Sequence, residues 1–191
     1  MTKSIMIVGV GGQGTLLASR ILGHAILSKG YDVKISEVHG MSQRGGSVVT
    51  YVKYDTTDPV ASPIICEGEA DIILAFERLE AARYLQYLKS DGHVLVNYQI
   101  LNPIPVITGE KEYPIDILKD FDELKVDYTA IDALKLARQA GSSKAVNVAL
   151  IGLLAKNMDI DYGTWIESIR ACVPSKFVDI NLKAFELGYN H

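Results

Sequence analysis

The chain has 191 residues, 48% hydrophobic and 22% charged, with 19 Lys and Arg against 23 Asp and Glu for a formal net charge of -4. That length and composition fit one domain spanning residues 1–191, with a core large enough to need no disulfide or metal staple. The mild acidity argues against a dedicated nucleic-acid binder, which carries a basic face or stripe, and no apolar run approaches the length that crosses a bilayer.

The first unit reads strand, tight turn, helix. Ile5-Met6-Ile7-Val8 is a continuous apolar run, as expected for a strand buried on both faces. The run is too short for a signal-peptide core and lacks a cleavage site, so a cytoplasmic location is expected. Glycines break it at 9–14, and residues 15–29 then place Leu17, Ile21 and Ala25 on one helical face, with Gly30 as the stop. Val33 to Val38 reads as a second strand. The polar, glycine-rich stretch 39–46 follows, and then Ser47 to Tyr54, rich in Val, Thr and Tyr, reads as a third strand. Because no crossover helix joins these two, the third strand is expected to pair antiparallel with a neighbour.

Asp71 to Phe76 is a further buried strand, followed by a helix over Glu77 to Leu88. Ser90-Asp91-Gly92 is read as a turn into a strand from His93 to Asn97. Asn102 to Glu112, with Pro103 and Pro105, is an irregular or edge segment. A short helix over Ile115 to Phe121 and a strand over Lys125 to Thr129 come next. The rest is helical: Ile131 to Gln139, Ala145 to Asn157, Tyr162 to Ala171 and Ile180 to Leu187. The second of these is apolar around most of its circumference and should be buried against the sheet or a partner. The expected fold is a Rossmann-like three-layer α/β sandwich, with a mostly parallel sheet, an antiparallel strand insertion and a helical C-terminal part.

Gly9, Gly11 and Gly14 satisfy G-x-G-x-x-G in the strand-to-helix setting that the motif requires. There they permit a tight turn, close approach of a ligand and close helix–strand packing, with helix amides facing an anion. A bare tight turn is the other reading. Glu37, about 20 residues further on, stands where a dinucleotide fold places its ribose-binding acid. The loop from Glu37 through His39, Gly40, Ser42, Gln43, Arg44, Gly45 and Gly46 to Ser47 is the most unusual segment. Arg44 can hold a carboxylate or phosphate bidentately, and His39 can carry a proton or donate a hydrogen bond. Together these residues read as a ligand or subunit contact surface. Asn147, polar in an otherwise apolar helix, is read as capping a buried network or reaching the glycine turn.

Only two cysteines are present, Cys66 and Cys172, read as free thiols of a reducing compartment. They cannot supply the four thiolates of a four-iron cluster, and the histidines show no zinc spacing. Any redox chemistry must therefore use a borrowed cofactor or a partner chain. No G-x-S-x-G elbow surrounds a serine, so a hydrolase lacks support.

The turn Gly9-Val10-Gly11-Gly12-Gln13-Gly14 and the loop Glu37-Val38-His39-Gly40-Met41-Ser42-Gln43-Arg44-Gly45-Gly46-Ser47 resemble the gamma-type subunit of 2-oxoacid:ferredoxin oxidoreductases. The likeness continues through Asn147-Val148-Ala149-Leu150-Ile151-Gly152 and Asn181-Leu182-Lys183-Ala184-Phe185-Glu186, and the indolepyruvate branch is the nearest. It implies oxidative decarboxylation of a 2-oxoacid with coenzyme A to an acyl-CoA, carbon dioxide and reduced ferredoxin. In the nearest branch the substrate is an arylpyruvate. The likeness also implies a large alpha subunit bearing thiamine diphosphate, magnesium and iron–sulfur clusters, with ferredoxin as acceptor. It leaves no cofactor and no catalytic residue on this chain, which alone would be inactive. Two other readings stay open here: a stand-alone nucleotide-binding protein with Glu37 on the ribose, and a purely structural interaction module.

Overall fold

The computed structural model describes residues 2–40 and 45–191. Strands β1 (Thr2–Val10), β2 (Asp32–His39), β3 (Ser47–Asp55), β4 (Ala70–Ala75), β5 (Leu88–Asn97) and β6 (Tyr128–Ile131) form one sheet in the order β2-β3-β1-β4-β5-β6. Only β3 runs against the others. It pairs antiparallel with β1 from Thr2↔Asp55 to Val10↔Ser47, and with β2 from Asp32↔Asp55 to His39↔Val48. The contacts from β1 through β4 and β5 to β6 are parallel. The antiparallel expectation for 47–54 therefore holds, and β3 separates β2 from β1.

The helices are α1 (Thr15–Ser28), α2 (Arg78–Arg83), α3 (Ile104–Ile107), α4 (Ile117–Glu123), α5 (Ala133–Ala140), α6 (Val146–Lys156), α7 (Tyr162–Cys172) and α8 (Val178–Tyr189). Period-two alternation along β1 divides the core. Ile5 and Ile7 join a cluster with α1 and α5 to α8, while Met6 and Val8 join one with α2 and α4. This is the three-layer sandwich, thick on one face and thin on the other.

Helix α6 is buried from Asn147 to Ala155, as its apolar circumference requires. Its closest neighbour is α8, and two glycines set the distance. A Cβ at Gly188 would lie 1.9 Å from the Ala149 carbonyl oxygen, and one at Gly152 would lie 2.2 Å from that of Phe185. Among the described residues no helix is long and apolar enough to cross a membrane.

Three expectations need correction. The helix expected over Glu77 to Leu88 is only α2 followed by a 3-10 turn at Leu85–Tyr87, because Tyr84 leaves helical geometry and Leu88 already pairs with Ala70. The turn expected at 90–92 lies inside β5. There the register jumps from Ala70↔Leu88 to Ile72↔His93, so the extra residues bulge out of the ladder. Gly92 serves that bulge: a Cβ there would sit 2.9 Å from the Ala70 carbonyl oxygen. β6 also begins at Tyr128 rather than Lys125, whose φ of 56° places it in the left-handed region.

Candidate functional site

The helix that follows β1 packs on one face of the sheet and the helix that follows β4 on the other. The C-terminal ends of these adjacent parallel strands therefore flank a topological switch point, where doubly wound folds bind ligands. Here the gap is filled from within by Gln13. Its Oε1 accepts from the Val10 amide at 2.7 Å, and its Nε2 donates to the Phe76 carbonyl at 3.0 Å and to Gln99 Oε1 at 3.2 Å. A dinucleotide pyrophosphate has no room where this side chain lies.

The glycines serve the turn itself. A Cβ on Gly9 would lie 2.9 Å from Gln13 Oε1 and 3.0 Å from Phe76 Cβ. Gly14 caps α1 in the left-handed region at φ 84°, and its carbonyl accepts from Asn147 Nδ2 at 3.2 Å. Of the two expectations for Asn147, the structure shows the reach to the glycine turn, as this direct hydrogen bond. Gly11 ties the turn to the second loop: its amide donates to the Gly46 carbonyl at 2.8 Å, and its carbonyl accepts from the Gly45 amide at 3.3 Å.

This joint has a cavity on each side. One, of about 350 Å³, is lined by Gly11, Gly12, Gly14, Thr15, Glu37 and His39 among others. The start of α1 opens onto it with no side-chain cap and no acid in its first turn. Its amide end is therefore available to an anion. Glu37 accepts from the Thr50 hydroxyl at 3.3 Å, and His39 Nδ1 donates to the Gly40 carbonyl at 2.9 Å. Because β3 intervenes, Glu37 stands about 10 Å, two strand spacings, from β1.

The other cavity, of about 240 Å³, is lined by Gly11, Gly45 and Ser47 together with Glu77, Glu80 and Arg83. Two carboxylates are buried in its wall. Glu77 caps α2, with Oε2 accepting from the Glu80 amide at 3.0 Å, while Oε1 accepts from the Leu101 amide at 3.2 Å and from the Tyr113 hydroxyl. Glu80 accepts from the Ser47 hydroxyl at 2.5 Å and faces Arg83 Nη1 at 3.4 Å. Burial raises the Glu80 pKa above the usual carboxylate range, and the Ser47 hydrogen bond and the Arg83 charge offset part of that rise. The α2 side thus carries two buried acids and Arg83, and the α1 side carries Glu37 beside the uncapped start of α1.

The structure brings Gly11, Gly12, Gly14, Glu37 and His39 to one cavity and Gly45 and Ser47 to the other. Gln13, Gly9, Gly46 and Asn147 build the joint between them, and Gly40 is exposed beside His39. Ser42, Gln43 and Arg44 lie outside the described residues. Sequence reasoning missed Glu77, Glu80 and Asn97. Asn97, 1% exposed at the end of β5, donates to the Phe76 carbonyl at 3.1 Å and accepts from the Ala133 amide at 3.1 Å. Glu77 and Glu80 did leave a signal, since acids at the cap and third position mark a helix start. Asn97 left only a polar residue closing an apolar run.

Among the described residues no group of three or more His, Cys, Asp or Glu side chains could hold a metal ion. Cys66 is exposed and Cys172 half-buried, both free, and burial raises the Cys172 thiol pKa. These residues do not fit an iron–sulfur cluster.

A mixed sheet with one reversed strand, and a glycine turn bonded to the loop before that strand, define an α/β protein of Rossmann-like type. Residues 4–191 match the model of the pyruvate ferredoxin/flavodoxin oxidoreductase family, and the chain belongs to that family. It is 45% identical over 190 residues to indolepyruvate oxidoreductase subunit IorB of Pyrococcus horikoshii, covering 97% of this chain and 93% of that protein. The gamma subunit of the keto/oxoacid ferredoxin oxidoreductase from Geobacter sulfurreducens superposes with a TM-score of 0.71 at 24% identity, over 98% of this chain and 96% of that one. The same fold recurs in 2-oxoglutarate:ferredoxin oxidoreductase from Magnetococcus marinus, with a TM-score of 0.70 and 16% identity, where 99% of this chain covers only 30% of that chain.

Proposed function

We propose that the chain is the small subunit of a cytoplasmic 2-oxoacid:ferredoxin oxidoreductase of the arylpyruvate type. An arylpyruvate such as indolepyruvate and coenzyme A give an acyl-CoA and carbon dioxide, and the two electrons released pass to ferredoxin. The observation that supports this most is the 45% identity, over nearly the full length of both chains, with an indolepyruvate oxidoreductase subunit. Thiamine diphosphate with magnesium stabilises the carbanion when bound, and iron–sulfur clusters take the electrons. With two separated thiols on this chain, both groups are assigned to a larger partner subunit.

The part left to this chain is to bind and orient. The α1 cavity suits the anionic portion of coenzyme A: the uncapped start of α1 borders it, and glycines let a ligand approach the backbone. Two buried acids on the α2 side make that cavity the poorer seat for a phosphate, although Arg83 lines it and Glu37 lines the α1 cavity. Arg44, between β2 and β3 in sequence, is the residue of that loop whose chemistry suits a phosphate or carboxylate. Replacing Arg44 with Ala in the assembled enzyme should raise the KM for coenzyme A several-fold without dissolving the complex. Unchanged kinetics would sink that assignment. The substrate reading is tested by assaying the anaerobically purified complex with indolepyruvate, pyruvate and 2-oxoglutarate. The arylpyruvate should show the highest kcat/KM, and a preference for either of the others would overturn the arylpyruvate assignment.

A further inference from the structure

Residues 98–116, between β5 and α4, form an arm that is pinned at both ends to the start of α2. At one end the Arg78 amide donates to the Gln99 carbonyl at 3.3 Å, Arg78 Nε to the Tyr98 carbonyl at 3.0 Å, and the Leu101 amide to Glu77. At the other end the Tyr113 hydroxyl donates to the same Glu77 oxygen and accepts from the Leu79 amide at 3.1 Å. One fully buried carboxylate thus clamps both feet. The arm exposes four large apolar side chains among its polar ones: Ile104, Ile107 and Ile115 are 68–72% exposed and Ile100 is 40% exposed. Scattered exposed apolar residues need no explanation, but four isoleucines on one pinned segment mark an interaction surface.

The charge around the arm decides what covers it. Residues 98–125 carry six acids against three lysines. A second copy of this chain would bring the same acidic rim against it, and like charges juxtaposed across an interface are costly. The arm also borders the candidate site, since Leu101, Asn102 and Pro103 line the cavity that holds Glu77 and Glu80. We propose that this arm is the seat of the larger subunit, which meets it with an apolar patch rimmed by basic side chains and closes the α2-side cavity from outside. The inference rests on the subunit reading above and assigns the surface that reading lacks. Because the arm is held rigid beforehand, little ordering opposes the association.

The test uses the full chain produced together with its thiamine-diphosphate-bearing subunit. The double variant I104D/I107D alters exposed side chains only, so its unfolding midpoint should match that of the parent. Its affinity for the large subunit should fall at least tenfold. E110K/E112K should slow association at low salt and leave it nearly unchanged at high salt. Amide exchange over residues 100–115 should slow on assembly of the unsubstituted complex. Undiminished assembly of I104D/I107D, with unchanged exchange in the arm, overturns the proposal while the subunit reading stands. A complex of two copies of this chain that is lost in I104D/I107D overturns it in favour of self-association. Failure of the unsubstituted chain to assemble at all overturns the subunit reading and the proposal with it.

Discussion

Gln13 changes what the glycine turn can do. Its side chain satisfies the Val10 amide and bridges to Phe76 and Gln99, so it acts as a strut across the strand ends. Gln13→Ala leaves the Val10 amide without that partner and should cost about 2 kcal/mol in urea unfolding, from the lost bonds and a partly buried orphan donor. Glu80 gives the residue scale a pH signature. Its folded pKa is raised, chiefly by burial, so between its unfolded and folded values the native state holds more protons than the unfolded state. Stability attributable to this group therefore falls as pH rises through that window, upward from about 4.5. Glu80→Gln should flatten that part of the stability–pH curve, which equilibrium unfolding at a series of pH values would show. An unaltered slope would mean that Ser47 and Arg83 cancel the effect of burial.

At the scale of elements, the most demanding contact is the crossing of α6 and α8. Gly152→Ala drives a methyl group into the Phe185 carbonyl and the Tyr189 amide. Overpacking against backbone has little room to relax, so the loss should reach about 3 kcal/mol, read as a shifted denaturant midpoint at unchanged m-value. Helix α7 supplies the opposite pH behaviour. Asp161 caps it by accepting from the Thr164 amide at 3.0 Å and the Thr164 hydroxyl at 2.8 Å, which holds its pKa down at about 2. A depressed carboxylate contributes stability that is present above its unfolded value of 3.8 and lost as pH falls toward about 2. Asp161→Asn keeps a capping oxygen and should abolish that acid-limb contribution, as unfolding curves between pH 4 and 2 would reveal.

The same elements show which parts of the structure were legible beforehand. Ile5 to Val8, the helix after the glycine turn and the all-apolar α6 were readable because periodicity and burial are the same fact seen twice. The reversed strand was readable because 39–46 has no room for a crossover helix. Gly92 was misread because a glycine beside polar residues looks the same whether it makes a turn or a bulge. The strut role of Gln13, the clamp by Glu77 and the reach of Asn97 depend on which polar atoms meet across the strand ends. No one-dimensional pattern records those meetings. Asn147 was the exception, since a lone amide on an apolar helix must find a partner.

For the molecule as a whole, the cores on either side of the sheet differ in kind. The α1, α5–α8 side is a full helical layer, while α2 and α4 cover the other side more thinly and leave the arm at 98–116 exposed beside the site. The surface proposed for the larger subunit lies on that thin side. The most direct test of the central claim is to tag this chain, purify it anaerobically under gentle conditions, and record native mass and visible spectrum together. The account predicts a heteromeric particle containing a larger subunit, with the broad absorbance near ~400 nm of iron–sulfur clusters. A colourless chain of 20.9 kDa, alone in solution, would contradict it.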